Sequence, residues 1–248
     1  MTYIGGSASN SIERLEIRQS VSFIERSEEV RVRARSGCEK RAVDRGIRVT
    51  CRNVPGVRLL LGRGNDRMAN GFVSDRKTCR RIPDRGAHVA INGGEGHDVL
   101  LGTNTANGDD LAGGRGPDVI LSCGGDDAIA GGAGADQLEG MLGDDRASGQ
   151  RGTDYLLGCS GDPDSNDVGG DFHGSDSLGG GPGSDSIADC TGTDRLRGGA
   201  GRDSLDSIYA NHESNPDLLL CGRGEDYYAA IKPDRARRCE RPYGGFIP

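Results

Sequence analysis

Residues 131–139 read Gly-Gly-Ala-Gly-Ala-Asp-Gln-Leu-Glu and fit the nine-residue pattern G-G-x-G-x-D-x-U-x, where U is a large apolar residue. The pattern continues in phase on both sides of this stretch. One run of nine-mers extends over residues 93–157, and a second run occupies 171–206 after an irregular segment near 162–170. Single copies lie at 61–69 and 221–229. Such a fixed period indicates a solenoid of stacked repeats.

Glycine at the first, second and fourth positions permits backbone conformations that are closed to residues with a Cβ atom. We therefore expect the first six residues of each nine-mer to turn and the last three to extend. The glycines also let backbone carbonyls point inward at a cation. The glycines expected to serve this role are Gly94, Gly96, Gly114, Gly116, Gly132, Gly134, Gly143, Gly152, Gly181, Gly183, Gly199 and Gly201.

Every second sixth-position aspartate of the in-phase nine-mers lies eighteen residues further along the chain, as Asp136 does from Asp118. Two nine-mers would then form one coil, and turns eighteen residues apart would stack about 4.8 Å from each other. Carboxylates stacked in this way repel strongly without a cation between them. Turn formation alone would not require this register. The predicted metal ligands are Asp98, Asp109, Asp118, Asp127, Asp136, Asp145, Asp154, Asp176, Asp185, Asp194 and Asp203, with Asp66 and Asp226 in the isolated copies.

The donor chemistry favours calcium. Ca²⁺ accepts six to eight oxygen ligands and tolerates mixtures of carboxylates and carbonyls, whereas Mg²⁺ loses its water reluctantly. No cluster of His and Cys that would favour zinc is evident in the sequence. The pattern resembles the RTX, or hemolysin-type, calcium-binding repeat, a family whose nonapeptides form a parallel β-roll. The resemblance implies several bound Ca²⁺ ions and an all-β, two-sheet parallel solenoid.

The U residues should point into a thin core between the two sheets. One apolar side chain per nine residues cannot offset an ordering cost of roughly 1–2 kcal/mol per residue for the backbone. Metal binding should therefore supply much of the folding free energy. We predict a roll that is largely unfolded without Ca²⁺. The predicted core residues are Leu100, Leu111, Ile120, Ile129, Leu138, Leu156, Leu178, Ile187, Leu196 and Leu205.

The ends of the chain follow another pattern. Residues 1–60 read as short alternating strands and predict a small β-module that caps the roll, with a helix over 11–18 as the weaker alternative. This region is similar to N-terminal regions of some secreted actinobacterial RTX-like proteins. The roll is expected over 61–229, with its regular repeats at 93–157 and 171–206. Residues 230–248 leave the period and predict a C-terminal cap.

The eight cysteines form an even set, which favours disulfides and an oxidising compartment. We predict local disulfides Cys38–Cys51 and Cys221–Cys239. Cys123 and Cys159 would lie two coils apart, about 9.6 Å, which is beyond disulfide reach unless the irregular segment distorts the stack. Partners for Cys79, Cys123, Cys159 and Cys190 stay open, with free thiols as the alternative. The start MTYIGG is no signal peptide, so secretion would require a leader that was removed or a true start upstream.

Charge and motifs narrow the function. Residues 92–206 carry 6 Lys/Arg against 22 Asp/Glu, which repels nucleic acids and anionic membranes, whereas residues 1–60 carry 12 against 7. No apolar run is long enough to span a membrane. Neither H-E-x-x-H nor G-x-S-x-G occurs. The four His are scattered, and His97 and His173, at variable turn positions, are expected to be exposed spacers. The sequence therefore predicts a non-enzymatic protein.

The predicted function is that of a secreted calcium-binding structural module or surface adhesive module, with an unidentified extracellular protein or glycan partner. One alternative is a non-catalytic remnant or partner of an RTX-type secreted hydrolase. Another is an ice-binding adhesin. Ice-binding rolls present a regular Thr/Asn array on one turn face, and the variable turn positions here form no such array.

Overall fold

The computed structural model describes residues 2–4, 11–17, 20–25, 31–33, 38–43, 46–52, 56–68, 88–103, 106–159, 174–189, 192–207, 215–230 and 234–242. Side chains are discussed below for residues 60–66 and from 88 onward. All regular structure in this part of the chain is β-strand. The strands are β1 Thr2–Ile4, β2 Ser11–Ile17, β3 Ser20–Glu25, β4 Arg31–Arg33, β5 Cys38–Val43, β6 Gly46–Arg52, β7 Gly56–Arg63, β8 Arg67–Met68, β9 His88–Glu95, β10 Val99–Leu101, β11 Asp110–Arg115, β12 Val119–Leu121, β13 Ala128–Ala133, β14 Gln137–Glu139, β15 Arg146–Arg151, β16 Tyr155–Leu157, β17 Ser177–Pro182, β18 Ser186–Ala188, β19 Arg195–Ala200, β20 Ser204–Asp206, β21 Leu218–Arg223, β22 Tyr227–Ala229, β23 Arg235–Arg237 and β24 Arg241–Pro242.

These strands form two sheets that the chain visits in alternation. Sheet A has 11 strands in the order β23-β21-β19-β17-β15-β13-β11-β9-β7-β1-β4, and sheet B has 13 in the order β24-β22-β20-β18-β16-β14-β12-β10-β8-β2-β3-β6-β5. From β7 onward, neighbouring strands within each sheet are parallel. Each coil thus adds one strand to each sheet. The predicted parallel β-roll is confirmed.

The core is a single apolar layer between the two sheets. Strands of sheet A bury every second residue, as in β13, where Ile129 is buried between the outward-facing Ala128 and Ala130. All the predicted core residues belong to one cluster and are at most 3% exposed. The same cluster also contains Leu61, Val89, Ile91, Ala147, Leu219 and Cys221. The predicted core is therefore confirmed and extends beyond the regular repeats.

The stack is continuous across the breaks in the sequence period. On either side of the irregular segment, Ala147 of β15 pairs with Leu178 of β17. The copy at 61–69 joins the stack through the pairing of β7 with β9, and the copy at 221–229 joins it through the pairing of β19 with β21. The two copies that look isolated in the sequence are therefore ordinary coils in space.

The two strands of a coil differ in length. In the central coils, strands of sheet B have three residues and strands of sheet A have six. The longer strand continues into the first three residues of the next nine-mer, because those residues still pair with the adjacent coil, as Gly132 does with Gly114. The expectation that the first six residues always turn is therefore wrong after sheet A.

The N-terminal strands extend both sheets. Strands β2, β3, β6 and β5 pair antiparallel in that order, and β2 joins sheet B through a parallel pairing with β8. Strand β1 lies between β4 and β7 at the end of sheet A. Residues 11–17 form a strand, so the helical alternative is wrong.

The cysteines bear on how the ends are held. The predicted Cys221–Cys239 disulfide is confirmed, with Cα atoms 5.0 Å apart, and it ties the last coil to the C-terminal segment. Cys38 and Cys51 lie opposite each other in the β5–β6 pair, but their side chains lie outside the described set, so their bond stays a prediction. Cys123 and Cys159 are both disulfide-bonded, which excludes the free-thiol alternative for these two. Cys79 and Cys190 lie outside the described residues.

Candidate metal centre

The turns of the roll form two different edges. The regular edge consists of the turns that follow strands of sheet A, where each described connection from β7 onward has three residues, such as 116–118 between β11 and β12. The insertion edge consists of the turns that follow strands of sheet B. Its connections run from 5 residues, between β22 and β23, to 19, between β16 and β17. All the length variation among the described coils therefore falls on one edge.

On the regular edge, aspartates form a hydrogen-bonded ladder along the roll. The backbone N–H of each one donates to Oδ1 of the aspartate in the next coil, as Asp118 does to Asp136 at 2.9 Å. The Asp carbonyl accepts in return, since the N–H of Val119 donates to the oxygen of Asp98 at 2.8 Å. The ladder runs through Asp66, Asp98, Asp118, Asp136, Asp154, Asp185, Asp203 and Asp226 and ends on the Glu240 carboxylate.

The insertion edge carries an equivalent ladder despite its uneven loops. It begins where the N–H of Val89 donates to Asp109 at 2.9 Å. It crosses the longest insertion without a break, since the N–H of Asp145 donates to Oδ1 of Asp176 at 2.7 Å. The members are Asp109, Asp127, Asp145, Asp176, Asp194, Asp217 and Asp234. Every aspartate predicted as a ligand from the sequence lies in one of the two ladders.

Three ladder residues were missed in the sequence: Asp217, Asp234 and Glu240. The first lies two residues before the buried Leu219, which is the spacing of the repeat, but Asn215 and Pro216 replace the glycine-rich turn before it. The other two belong to the C-terminal segment, where only the pairing of β23 and β24 with the last coil reveals the register. The spacing of the repeat, with an Asp two residues before a large apolar residue, is the signal in the sequence that identifies Asp217.

The second oxygen of these carboxylates points into a space that fits a cation. Apart from Asp234, which is partly exposed, the ladder aspartates are at most 5% exposed. Oδ2 is buried without a hydrogen-bond partner in Asp98, Asp118, Asp127, Asp136, Asp145, Asp154, Asp185, Asp203 and Asp226. A Cβ atom on Gly113 would collide with Oδ2 of Asp118 and would lie 2.7 Å from the carbonyl oxygen of Gly131 in the next coil. The missing side chain thus leaves room beside a carboxylate and a carbonyl, which is an all-oxygen donor set of the kind that Ca²⁺ prefers.

The second and fourth glycines allow the coils to approach. All the glycines predicted to shape the turns have a positive φ, from 112° at Gly94 to 156° at Gly134 and Gly183. At Gly132, a Cβ atom would collide with the carbonyl oxygen of Gly114 in the preceding coil. Three non-glycine residues adopt the same conformation at the second position: Cys123, Met141 and Gln150. Their left-handed backbone is strained, and the register of the stack maintains it.

Burial makes ionisation of the ladders unfavourable without a metal. It raises the pKa of Asp136 and Asp203 to about 6 and that of Asp118 to about 7 on the regular edge. On the insertion edge the pKa rises to about 7 for Asp127. It rises to about 9 for Asp145, where burial is the main cause and the carboxylates of Asp176, Asp127 and Asp126 add to it.

The insertion edge also carries additional acids. Asp189 replaces the first glycine of its nine-mer, and its carboxylate lies near those of Asp176 and Asp194, with oxygen atoms of the three within 4.8 Å of one another. All three are buried. The exposed Asp126 and Asp144 also act across coils, since Oδ1 of Asp126 accepts from the N–H of Asp144 at 3.1 Å. Negative charge is therefore denser on this edge than on the regular edge.

The remaining predicted residues lie outside this chemistry. His97 is exposed on the regular edge, as expected, and its N–H donates to Asn65 Oδ1 at 3.0 Å. His88 lies 2.6 Å from the carbonyl oxygen of Gly108 and 3.3 Å from Asp110. His173 and His212 lie outside the described residues. Among the described residues, there is no helix that could cross a membrane.

Comparison with known families agrees with this geometry. The profile of the RTX calcium-binding nonapeptide repeat (4 copies) matches residues 103–138, 130–162 and 191–207. No curated protein and no solved structure matches the chain significantly. The fold and the ladders define a parallel β-roll, and its central coils are RTX calcium-binding repeats. The cofactor that such repeats bind is Ca²⁺.

Proposed function

We propose that this protein is a secreted structural or surface module whose β-roll is held together by calcium ions along both edges, with no catalytic role. One observation carries the proposal: rows of buried carboxylate oxygens lack hydrogen-bond partners along an otherwise well-bonded stack. A buried and unpaired carboxylate is costly, and a cation removes that cost. When bound, Ca²⁺ supplies positive charge between adjacent turns.

The proposed ligands are the predicted aspartates of both ladders, including Asp66 and Asp226, with Asp217 added. Oδ1 of the aspartates after Asp66 accepts an N–H of the preceding coil, so Oδ2 is the oxygen left for the ion. Asp109 departs from this arrangement, because its Oδ2 already accepts from the N–H and the hydroxyl of Thr103. The first glycine of each turn leaves the space for the ion and contributes its carbonyl. The glycine-rich turns hold these oxygens at the spacing of the strands. The carboxylates are thus oriented by the backbone and not by neighbouring side chains.

This arrangement couples folding to calcium. Most strands of the roll contribute one large apolar side chain to the core, which is little for a chain of this length. Metal binding to the folded state only would shift the equilibrium toward the roll. We further propose that residues 1–60 and 230–248 act as caps for a roll that occupies 61–229.

Calcium dependence and disulfides point to an extracellular setting. Disulfides persist in oxidising compartments, and Cys123, Cys159, Cys221 and Cys239 are all bonded. Weak calcium sites with millimolar affinities are typical of extracellular modules. A chain that is unfolded where calcium is scarce and folded where it is plentiful would fold after export.

Far-UV circular dichroism of the full chain tests the proposal. Chelation should abolish most of the β signal, and Ca²⁺ should restore it where Mg²⁺ does not. Asp118→Asn, which alters a buried carboxylate whose Oδ2 has no hydrogen-bond partner, should raise the calcium concentration needed for folding. The matched control Asp110→Asn, which alters an exposed carboxylate outside the ladders, should not. A β signal that is unchanged by chelation would contradict the calcium-dependent fold.

A further inference from the structure

A basic patch lies on the outer face of sheet A near its C-terminal end. Arg195 and Arg197 project outward from β19, and Arg235 and Arg237 lie on β23. Strand β21 lies between them, so that Leu218 separates Arg195 from Arg235 and Leu220 separates Arg197 from Arg237. The four arginines form the corners of a rectangle, and two half-buried leucines occupy its middle.

The backbone register fixes the dimensions of this rectangle. Arginines on the same strand are two residues apart, which corresponds to about 6.6 Å, and the two strands are separated by about 9.6 Å. The four side chains are exposed, and the strands beneath them are hydrogen-bonded to their neighbours. The backbone positions from which the four charges project are thus fixed before any ligand arrives.

The four guanidinium groups lack acidic partners among the described residues. No described carboxylate lies within 4.0 Å of them, whereas other arginines of the roll are paired, such as Arg63 with Glu95 at 3.0 Å and Arg202 with Glu225 at 3.7 Å. The chain as a whole has a net charge of −7. An unneutralised basic patch on an acidic protein is complementary to an anionic partner.

We propose that this patch binds an acidic polysaccharide. Arginine forks form paired hydrogen bonds with planar carboxylates and bind tetrahedral anions equally well. The leucines between them offer an apolar strip for the C–H face of a sugar ring. The patch lies on the outer face of a sheet and is separate from the two aspartate ladders, so the inference goes beyond calcium binding.

Other polyanions fit this face less well. Single-stranded nucleic acids are usually bound on aromatic side chains that stack with the bases, and the described outer face of sheet A carries none between these arginines. A flat sheet does not enter a groove of duplex DNA. Membrane-surface binding relies on projecting apolar side chains, and Leu218 and Leu220 are half-buried.

The test uses the calcium-loaded full chain and three probes: dextran sulfate, hyaluronate, and uncharged dextran. Binding is measured by isothermal titration calorimetry at two salt concentrations. We expect binding to dextran sulfate or hyaluronate but not to dextran. Binding should be weaker at higher salt, because it releases counterions and their release is less favourable when the salt concentration is high. The two acidic probes distinguish a sulfate from a carboxylate preference.

Replacement of Arg195, Arg197, Arg235 and Arg237 by Gln should weaken binding roughly ten- to hundredfold and reduce its salt dependence. The matched control replaces Arg115, Arg151, Arg202 and Arg223, which lie on or beside the turns of the regular edge, and makes the same change in net charge. That control should bind nearly as well as the unaltered chain. Calcium-dependent circular dichroism verifies that both variants fold.

Leu220→Glu is a second variant, with a carboxylate between Arg197 and Arg237 at a half-exposed position. It should also weaken binding if the patch is the site. Equal loss in the patch and control variants would show that net charge alone acts and would overturn the proposal. So would absence of binding to both acidic probes, or patch-dependent binding of single-stranded DNA or anionic vesicles instead. None of these outcomes depends on how calcium stabilises the roll.

Discussion

The regular edge and the insertion edge carry the same aspartate ladder on very different turns. On the regular edge the connections have three residues, and a G-x-G-x-D turn recurs with Gln150 as the departure from it. On the insertion edge the connections vary in length, the turn glycines are replaced at Cys123 and Met141, and extra acids crowd the ladder. The ladder geometry is nevertheless similar, with N to Oδ1 distances of 2.7–3.0 Å on the regular edge and 2.6–3.1 Å on the insertion edge.

The difference shows which part of the repeat is indispensable to the stack. An insertion is tolerated wherever the chain returns with an Asp in register before the next strand, as it does at Asp176 and Asp217. The glycines matter where the turn is tight and its backbone touches the next coil. The aspartate therefore sets the register, and the glycines set how closely the coils approach.

The largest expected effect comes from pH, because it acts on both ladders at once. Without calcium, burial raises the pKa of buried ladder aspartates, to about 6 at Asp136 and to about 9 at Asp145. Protonation then stabilises the folded metal-free roll, fully below about pH 4 and progressively less as the pH rises toward 9. Circular dichroism of the chelated chain should show more β-structure at pH 5 than at pH 8.

The same titration separates the edges. Asp145→Asn removes a carboxylate that ionises late and should flatten the upper part of the pH curve, whereas Asp136→Asn should flatten the lower part. With calcium present the trend reverses, since protons compete with the metal for Oδ2. A chelated chain that gains β-structure as the pH rises would contradict the raised pKa values.

Gly132→Ala on the regular edge should be more damaging than the loss of any one ligand. The new Cβ would collide with the Gly114 carbonyl at a φ of 124°, so we expect a loss of about 3 kcal/mol or more in the free energy of unfolding. Chemical denaturation in saturating calcium measures it. Gly179→Ala is the control, because a Cβ there has no atom within 4 Å. Equal effects at the two sites would refute the role assigned to close stacking.

Removing one ligand from each ladder should have a smaller effect. In calcium, both Asp145→Asn and Asp136→Asn should weaken the affinity of the affected site by roughly tenfold, about 1.4 kcal/mol. Without calcium, Asp145→Asn should stabilise the roll more than Asp136→Asn, because it relieves the more strongly disfavoured charge. Calcium titrations and melting of the chelated variants measure the two responses. If Asp136→Asn stabilises the chelated roll more than Asp145→Asn does, the ladder on the insertion edge is not the one whose ionisation is more unfavourable.

The smallest effect concerns the strained turn residues. Gln150 is exposed with a φ of 73°, so Gln150→Gly should stabilise the roll by about 0.5–1 kcal/mol. Met141 has a φ of 81°, but it is buried against Leu101 and Cys123. Met141→Gly should therefore be neutral or destabilising, since lost apolar burial opposes the relief of strain. The melting temperatures of the two variants in calcium measure these effects. An increase in stability at both positions would contradict this distinction between the edges.

Much of this fold can be predicted from the sequence, because the spacing of the repeat indicates which residues lie next to each other in adjacent coils. The spacing of Asp118, Asp136 and Asp154 predicts the coil length, and the Leu or Ile two residues after each predicts the core. The copies at 61–69 and 221–229 fall within the predicted bounds of the roll but look isolated in the sequence, because loops of different length hide an eighteen-residue period. The sequence does not distinguish the two edges, since all turns look equivalent until strand pairing separates them. The arginine rectangle likewise depends on pairing between strands that the sequence separates by 40 residues, from Arg195 to Arg235.

The alternation of the two edges limits how such a gene can grow. Duplication or loss of eighteen residues adds or removes a whole coil and leaves every later turn on its own edge. Insertion or loss of nine residues would move all later turns to the opposite edge. The long loops would then lie on the regular edge, where the turns are closely stacked. The number of repeats can therefore change only by whole coils of eighteen residues, although the repeat that is visible in the sequence has nine residues.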